Sequence, residues 1–328
     1  MNLDLAIPFL KKILGHLHDS SFDISNWEID HLCYRTESNE DYKLAKNYFS
    51  SISSLLIESQ VGGRPIATYK LFRPIEYGDY IIDLIEVPAP KLTRASQKGF
   101  EHIEIVVDLP FQDLIDRYPK INFTTKGLAK EINPELEIEF KDCAVKFHHK
   151  SLEQIINIEK NQRVIEFLDS SQLLSKLAKY TPCLSAEVAL GIEPLGLNLK
   201  ILFCAQELET FENEVVGLFG RQKNYSNKRN SQEEESVLIS FKWQELTVEF
   251  NCSTTQVFAQ RDNKILLTEG RILKLGGEKL KNAIGELRTA GIQNEAAFGE
   301  ILNLKQPHTD LLKLSMLTDL EIKKRLKL

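Results

Sequence analysis

The stretch IDHLCYRT at 29–36 returns in altered form as FEHIEIVV at 100–107. Each sets an acidic residue and a histidine, Asp30-His31 and Glu101-His102, at the head of an alternating apolar run, and the two histidines stand 71 positions apart. Such alternation is the pattern of a half-buried strand, in which side chains at i and i+2 share a face. His31, Cys33 and Arg35 therefore share one face of the first strand, and His102 shares a face with Glu104 in the second. Beyond the first strand come a helical segment, EDYKLAKNYFSSI (40–52), and strand candidates SLLIESQV (54–61), RPIATYKLF (64–72) and DYIIDLIEVP (79–88). Beyond the second come PFQDLIDRYP (110–119), FTTKGLA (123–129), PELEIEFKD (134–142) and CAVKFHH (143–149). The order β-α-β-β-β thus occurs twice, and the expected fold class is α+β, opening with a paired βαβββ domain.

The closing strand of each copy adds one further potential ligand, Glu86 in the first and His148 in the second. His31, Glu86, His102 and His148 form an N3O donor set suited to a divalent metal, Zn, Ni, Fe or Mn, with His149 and Glu153 as alternatives for the fourth place. A histidine in a strand is ordinarily a packed or hydrogen-bonded residue. What lifts this set above that reading is the repetition of the acid-histidine pair at matching strand positions. Glu104, on the face of His102, is the candidate proton carrier, and Arg35, Arg64 and Lys146 are candidates to hold an anionic substrate.

With 328 residues the chain exceeds one ordinary hydrophobic core, so two domains are expected, with the boundary at the polar segment EKNQRVIEFLDSS (159–171): 1–162 and 163–328. A formal charge of −6 argues against a nucleic-acid binder, which needs clustered Lys and Arg. Five scattered cysteines without a CxxC pair indicate neither a disulfide framework nor a cysteine zinc site, and point to a cytoplasmic location. The N-terminal MNLDLAIPFLKKILGHLH reads as an amphipathic helix rather than a secretory signal, and no stretch approaches the roughly 20 apolar residues that cross a bilayer. His16 and His18, two apart on that helix, lie on different faces and make a poor metal pair.

The second half reads as α+β with helices dominating its end. QLLSKLAKY (172–180) is a helix, NLKILF, SVLISFKW and LTVEFNC are strands, and helices follow from VFAQRDNKILLTEGRILKL onward. NYSNKRNSQEEES (224–236) reads as a polar loop. His308, after Pro307, reads as part of a turn that caps the last helix.

IDHLCYRT, GGRPIATYKL, IIDLIEVPAP, KGFEHIEIVV and AVKFHHKSLEQII together resemble the YecM family, a branch of the vicinal oxygen chelate superfamily that includes glyoxalase I and extradiol dioxygenases. The resemblance covers residues 1 to 160 and implies a paired βαβββ fold with a metal centre at His31, Glu86, His102 and His148. Where that family tends to carry proline after the last histidine, this chain has His149. TPCLSAEVALGIEPLGLNLKILF, LTVEFNC, QVFAQRDNKILLTEGRILKL and AIGELRTAGIQNEAAFGEILNL are similar to an uncharacterised bacterial family with a nucleotidyltransferase-like fold. Nucleotidyl transfer in that fold needs an Asp-x-Asp pair after a Gly-Ser turn and a third carboxylate to bridge two metal ions. The matching stretch here, Gly196-Leu197-Asn198-Leu199-Lys200, lacks the serine and both aspartates, and Glu249 alone fills the third place. Gln260, Glu269, Arg271, Glu295 and Phe298 match that family's helical motifs and are expected to be buried ties or packing.

Two classes of function follow. One is a divalent-metal protein of the vicinal oxygen chelate type, an isomerase, lyase or dioxygenase acting on a small anionic substrate, joined to a catalytically inactive nucleotidyltransferase-like module. The other is a non-enzymatic scaffold that senses a small molecule or nucleotide and binds a protein partner. The expected partners are a small anion and either a second copy or another protein, with neither nucleic acid nor membrane.

Overall fold

The computed structural model describes residues 2–91, 98–130, 133–185, 187–192, 198–230, 235–244 and 246–328. The chain divides into two compact units. One comprises Met1–Val107, Phe111–Leu152 and Thr318–Arg325; the other comprises Asp108–Pro110, Glu153–Leu317 and Leu326–Leu328.

In the first unit, α1 (Ala6–Asp19) precedes β1 (Glu28–Arg35), α2 (Asn39–Ile52), β2 (Ser53–Val61), β3 (Arg64–Tyr77) and β4 (Tyr80–Pro88). The second copy runs β5 (Gly99–Val106), α3 (Phe111–Arg117), β6 (Phe123–Thr124), β7 (Leu136–Glu139) and β8 (Ala144–His148). All eight strands form one sheet in the order β2-β3-β4-β1-β5-β8-β7-β6. Each copy pairs its first and last strands in parallel, β1 with β4 and β5 with β8, and the copies meet where β1 runs antiparallel to β5. The repeated pattern read from the sequence is therefore a repeated topology. FTTKGLA departs from expectation: only Phe123–Thr124 is strand, and Lys126–Ala129 winds into a 3-10 turn.

Local chemistry explains the elements. Ser38 caps α2 by accepting from the Asp41 amide at 3.0 Å, satisfying an otherwise orphaned helix donor. Gly62 and Gly63, at φ of 58° and 78°, make the β2–β3 hairpin turn, where two consecutive left-handed residues match the strand twist. One face of the sheet is apolar. Tyr34 meets Phe49 of α2 at a ring separation of 5.7 Å, and Phe147 of β8 meets Phe22 at 5.3 Å. Leu32, Ile103, Ile105, Val145 and Phe147 are fully buried on that side. Each such side chain contributes about 1.5–3 kcal/mol by leaving water. The alternation then obliges the intervening residues, His31, Cys33, His102, Glu104, Lys146 and His148, to the other face.

The second unit is built from α4 (Leu152–Lys160), α5 (Gln162–Ser171), α6 (Leu173–Lys176), β9 (Cys183–Leu184), β10 (Asn198–Cys204), α7 (Leu208–Phe219), β11 (Lys223–Asn230), β12 (Ser236–Trp243) and β13 (Leu246–Ser253). Helices α8 (Arg261–Thr289), α9 (Asn294–Leu302) and α10 (Pro307–Leu314) follow; α11 (Asp319–Leu326) belongs, up to Arg325, to the first unit. The sheet order is β11-β12-β13-β10-β9, with β10 parallel to β13. Phe167, Phe203, Phe211, Phe241 and Phe250 fill its core.

Two sequence expectations change here. The polar segment at 159–171 is mostly helix: the Asn161 side chain caps α5, which buries Val164, Phe167 and Leu168. The expected loop at 224–236 is largely β11, a polar edge strand paired with β12; residues 231–234 lie outside the described residues. Charged, solvent-facing edge strands carry no apolar alternation and hide from pattern reading. Helix α8 bends at Gly277, whose φ of 64° interrupts the helical run. Gly196 and Leu197 of the stretch matched to the nucleotidyltransferase turn lie outside the described residues. Among the described residues, no helix is long and apolar enough to cross a membrane.

Candidate metal centre

The polar face of the eight-stranded sheet gathers its ionisable groups where β1 and β5 meet. In the register, Cys33 stands opposite both Glu86 of β4 and His102 of β5, and His31 stands opposite Glu104. His31, Glu86 and His102 bring one donor atom each within 4.8 Å of one another. Both imidazoles are about 1% exposed, and their Nε2 atoms are shielded without a hydrogen-bond partner. His148 Nε2 is likewise shielded and unpartnered, yet it lies against Glu104, 2.7 Å from Oε2 but off hydrogen-bond geometry. The structure thus brings three of the four sequence candidates into one group and sets His148 on the far side of Glu104.

Glu104 is the hub. Its Oε1 lies 3.3 Å from His102 Nε2, 3.6 Å from His31 Nε2 and 3.6 Å from Lys146 Nζ. Burial alone would raise its carboxyl, but His148, His31 and Lys146 outweigh burial and hold it well below the ordinary carboxylate range. Burial pulls His31 down, and Glu104, Asp30 and Glu86 more than reverse this, lifting it to about 9. Lys146 is likewise raised against its burial by Glu104 and Glu135, lying 3.7 Å from Glu135 Oε2.

The acid preceding each histidine has a definite task. Asp30 Oδ2 accepts from His31 Nδ1 at 2.7 Å and from the Leu152 amide at 2.9 Å, and Glu101 Oε2 accepts from His102 Nδ1 at 2.9 Å. Neighbouring residues in a regular strand point to opposite faces, so these contacts need irregular backbone. Both acids occupy one: the register jumps from Ile29 to His31 against β5, skipping Asp30, and from Phe100 to His102 against β1, skipping Glu101. Extra residues at β-bulges re-aim side chains in this way. With Nδ1 held by a carboxylate, each ring turns Nε2 to the cluster, the outer support that metal-binding histidines need; on His31, lifted to about 9, coordination displaces the Nε2 proton. The acid-histidine doublet was visible in the sequence, but not the bulge that lets its members touch.

The remaining candidates separate clearly. Arg35 Nε donates to Glu101 at 2.5 Å, and together with His102 it holds that carboxyl down to about 2 against the upward pull of burial. Arg64 donates to the Ala89 carbonyl at 2.7 Å. Burial and Arg35 push Arg64 down; burial, Arg35 and Arg64 do the same to Lys91, a cation the sequence reading had not singled out. These three form a cationic rim beside Glu101. His149 belongs to the opposite face: it stacks on Phe111 at 4.0 Å, and burial drives it down to about 3, a neutral core ring. Glu153 pairs with Lys281 at 3.1 Å in the second unit. Cys33 lies under the cluster, its thiol pushed well up by burial.

In the second unit the residues matched to helical motifs act as ties. Gln260 donates to the Phe203 and Thr255 carbonyls at 2.9 Å each, Arg271 to the Leu317 carbonyl at 2.7 Å, and Asn294 to Glu269 at 2.7 Å, while Phe298 is fully buried. His308 sits in the first turn of α10 rather than in a turn capping the last helix, against Glu295 at 2.5 Å. Lys200 stands opposite Glu249 on β13 and pairs with Asp262 at 2.5 Å.

Residues 3–159 match the family described as YecM protein, and residues 166–314 match a Domain of unknown function (DUF4269). An uncharacterized protein of Haemophilus influenzae is 28% identical over 182 residues, covering 49% of this chain and 95% of that protein. Protein YecM of Escherichia coli is 29% identical over 171 residues, 48% of this chain and 88% of the relative. Among solved structures, a structural-genomics protein, EC4020, is 27% identical over 48% of this chain and 91% of its own, with a TM-score of 0.42. Streptomyces coelicolor methylmalonyl-CoA epimerase in complex with 2-nitronate-propionyl-CoA is 12% identical over 37% of this chain and 95% of its own, with a TM-score of 0.29. The first half of the chain is YecM-like in sequence and carries the paired βαβββ sheet, and the second half matches DUF4269.

Proposed function

We propose that the first half binds a divalent cation through His31, Glu86 and His102, with His148 as the candidate fourth donor, and presents it to a small anionic substrate. The observation that carries this reading is the set of buried Nε2 atoms without hydrogen-bond partners on rings whose Nδ1 sides are held by Asp30 and Glu101. A buried nitrogen left wholly unsatisfied costs roughly 1–3 kcal/mol; Glu104, 3.3 and 3.6 Å away, offsets part of that here, and coordination removes the rest. Two imidazoles and a carboxylate with open positions suit Fe, Mn, Ni or Zn. When bound, such an ion acts as a Lewis acid on substrate oxygens. Glu104 is the carboxylate placed to accept a proton from a substrate on this face, and its basicity rises once an ion displaces the proton of His31, one of the cations that hold it low. Arg35, Arg64 and Lys91 orient the substrate's anionic group, which favours an isomerase, lyase or dioxygenase over a scaffold. Metal analysis of the purified chain tests this: His31→Ala and Glu86→Ala each hold one equivalent less than wild type, and unchanged stoichiometry favours the non-enzymatic scaffold.

For the second half we infer a nucleotidyltransferase-like module without nucleotidyl transfer. Its support is charge: an ammonium, Lys200, stands beside Glu249 and Asp262 where such chemistry needs free carboxylates for two cations. ATP with Mg2+ is expected to leave the melting temperature unchanged; stabilisation accompanied by turnover would overturn the inference.

A further inference from the structure

A second group of donor atoms gathers in the first unit, sharing no residue with the central cluster. His16 of α1, Asp142 in the turn between β7 and β8, and Cys143 at the head of β8 place one donor atom each within 4.8 Å of one another. The His16 ring lies against Phe140 at 5.0 Å and an interplanar angle of 20°, which fixes its plane. Its Nε2 is shielded from solvent and has no hydrogen-bond partner. The Phe140 amide donates to the Cys143 carbonyl at 2.8 Å, closing the turn that presents the other two residues. Cys143 is buried, whereas the Asp142 carboxylate is 47% exposed and leaves a way in from solvent.

Imidazole, thiolate and carboxylate together suit a borderline-soft cation far better than a hard one. We propose that His16, Asp142 and Cys143 form a second metal site that takes Zn2+ in preference to Mg2+ or Ca2+, with water completing the coordination. Lys12 is its competitor: the ammonium pairs with Asp142 in the ion-free chain and, being 43% exposed, is free to turn to solvent when the ion arrives. Burial keeps Cys143 a neutral thiol until then, and its proton leaves to solvent on coordination. The bound ion ties α1 to the β7–β8 turn. His18, two residues on, is 90% exposed and takes no part, as expected of a pair on different helix faces; the partners of His16 lie 126 and 127 residues away.

Titration of the full chain with Co2+ tests the site through the thiolate-to-cobalt charge-transfer absorbance. The band is expected in wild type and in the His31→Ala/His102→Ala double variant, which has lost the central ligands, so failure of the central reading leaves it untouched. Cys143→Ser abolishes it. His16→Gln, a milder change, weakens binding by more than the roughly 10–100-fold that outer-shell partners alone are worth, and Lys12→Ala strengthens it. No band in wild type at saturating Co2+, a band surviving in Cys143→Ser, or one lost instead in Cys33→Ser would overturn the assignment.

Discussion

The two copies of the βαβββ unit agree in scaffold and differ at one decisive position. In the first, His31 stands opposite Leu84 and Cys33 opposite Glu86; in the second, His102 stands opposite Ala144 and Glu104 opposite Lys146. Superposing the registers makes Lys146 the counterpart of Glu86 and places His148 two residues beyond. Each copy supplies a bulge acid and an oriented imidazole, but only the first keeps a carboxylate in the third place. The second fills that place with an ammonium and balances it with Glu104. A carboxylate at 146 would add a fourth donor and complete a symmetric ligand set, whereas this chain pairs a three-donor cluster with an internal ion pair, which leaves coordination positions open and a charged carboxylate beside them.

Making the second copy imitate the first should break that division most severely. Lys146→Glu removes the cation held between Glu104 and Glu135 and adds a like charge. The metal-free chain is expected to lose about 3–5 kcal/mol, the cost of stranding a buried charge, while added Zn2+ or Mn2+ raises its melting temperature more than it raises that of wild type. Unchanged metal-free stability in denaturant titrations would mean that Lys146 does not hold Glu104. Outer support sharpens the comparison on a smaller scale. Asp30→Asn should weaken metal binding by roughly 10–100-fold, and Glu101→Gln should do so less, because Asp30 is buried and also holds the Leu152 amide whereas Glu101 is 42% exposed. Calorimetry that ranks the two equally would remove the asymmetry from the argument.

An effect confined to acid pH concerns His149, the residue that follows β8. His149 has a folded pKa of about 3 against 6.5 for the free side chain, so the unfolded chain takes up the proton first. Its contribution to stability is full above about pH 6.5 and is lost as pH falls toward 3. His149→Phe keeps the stacking on Phe111 and should flatten the fall of melting temperature across that window. An unaltered slope would show that other groups carry it.

Much of the first half was legible because alternation and repetition report on one buried face. The doublets Asp30-His31 and Glu101-His102, the strand order and the shared face of His102 and Glu104 all follow from periodicity. What escaped depends on register and bulges, which a single chain's pattern does not encode: the equivalence of Glu86 with Lys146, the placing of His148 against Glu104, and the contact of each acid with its own histidine. His149 was separable from His148 in principle, since neighbours in a strand face opposite ways. The edge strand β11 was hidden because it is largely exposed and carries no apolar alternation, and α5 because its Phe167 packs on partners far along the chain, Phe219 and Phe241.

Crystals of the full chain grown with Zn2+ and measured at its absorption edge address the central claim most directly. The account predicts an anomalous peak about 2.0–2.2 Å from His31 Nε2, His102 Nε2 and a Glu86 oxygen. Zn2+ elsewhere in the crystal with nothing between those three side chains would contradict it.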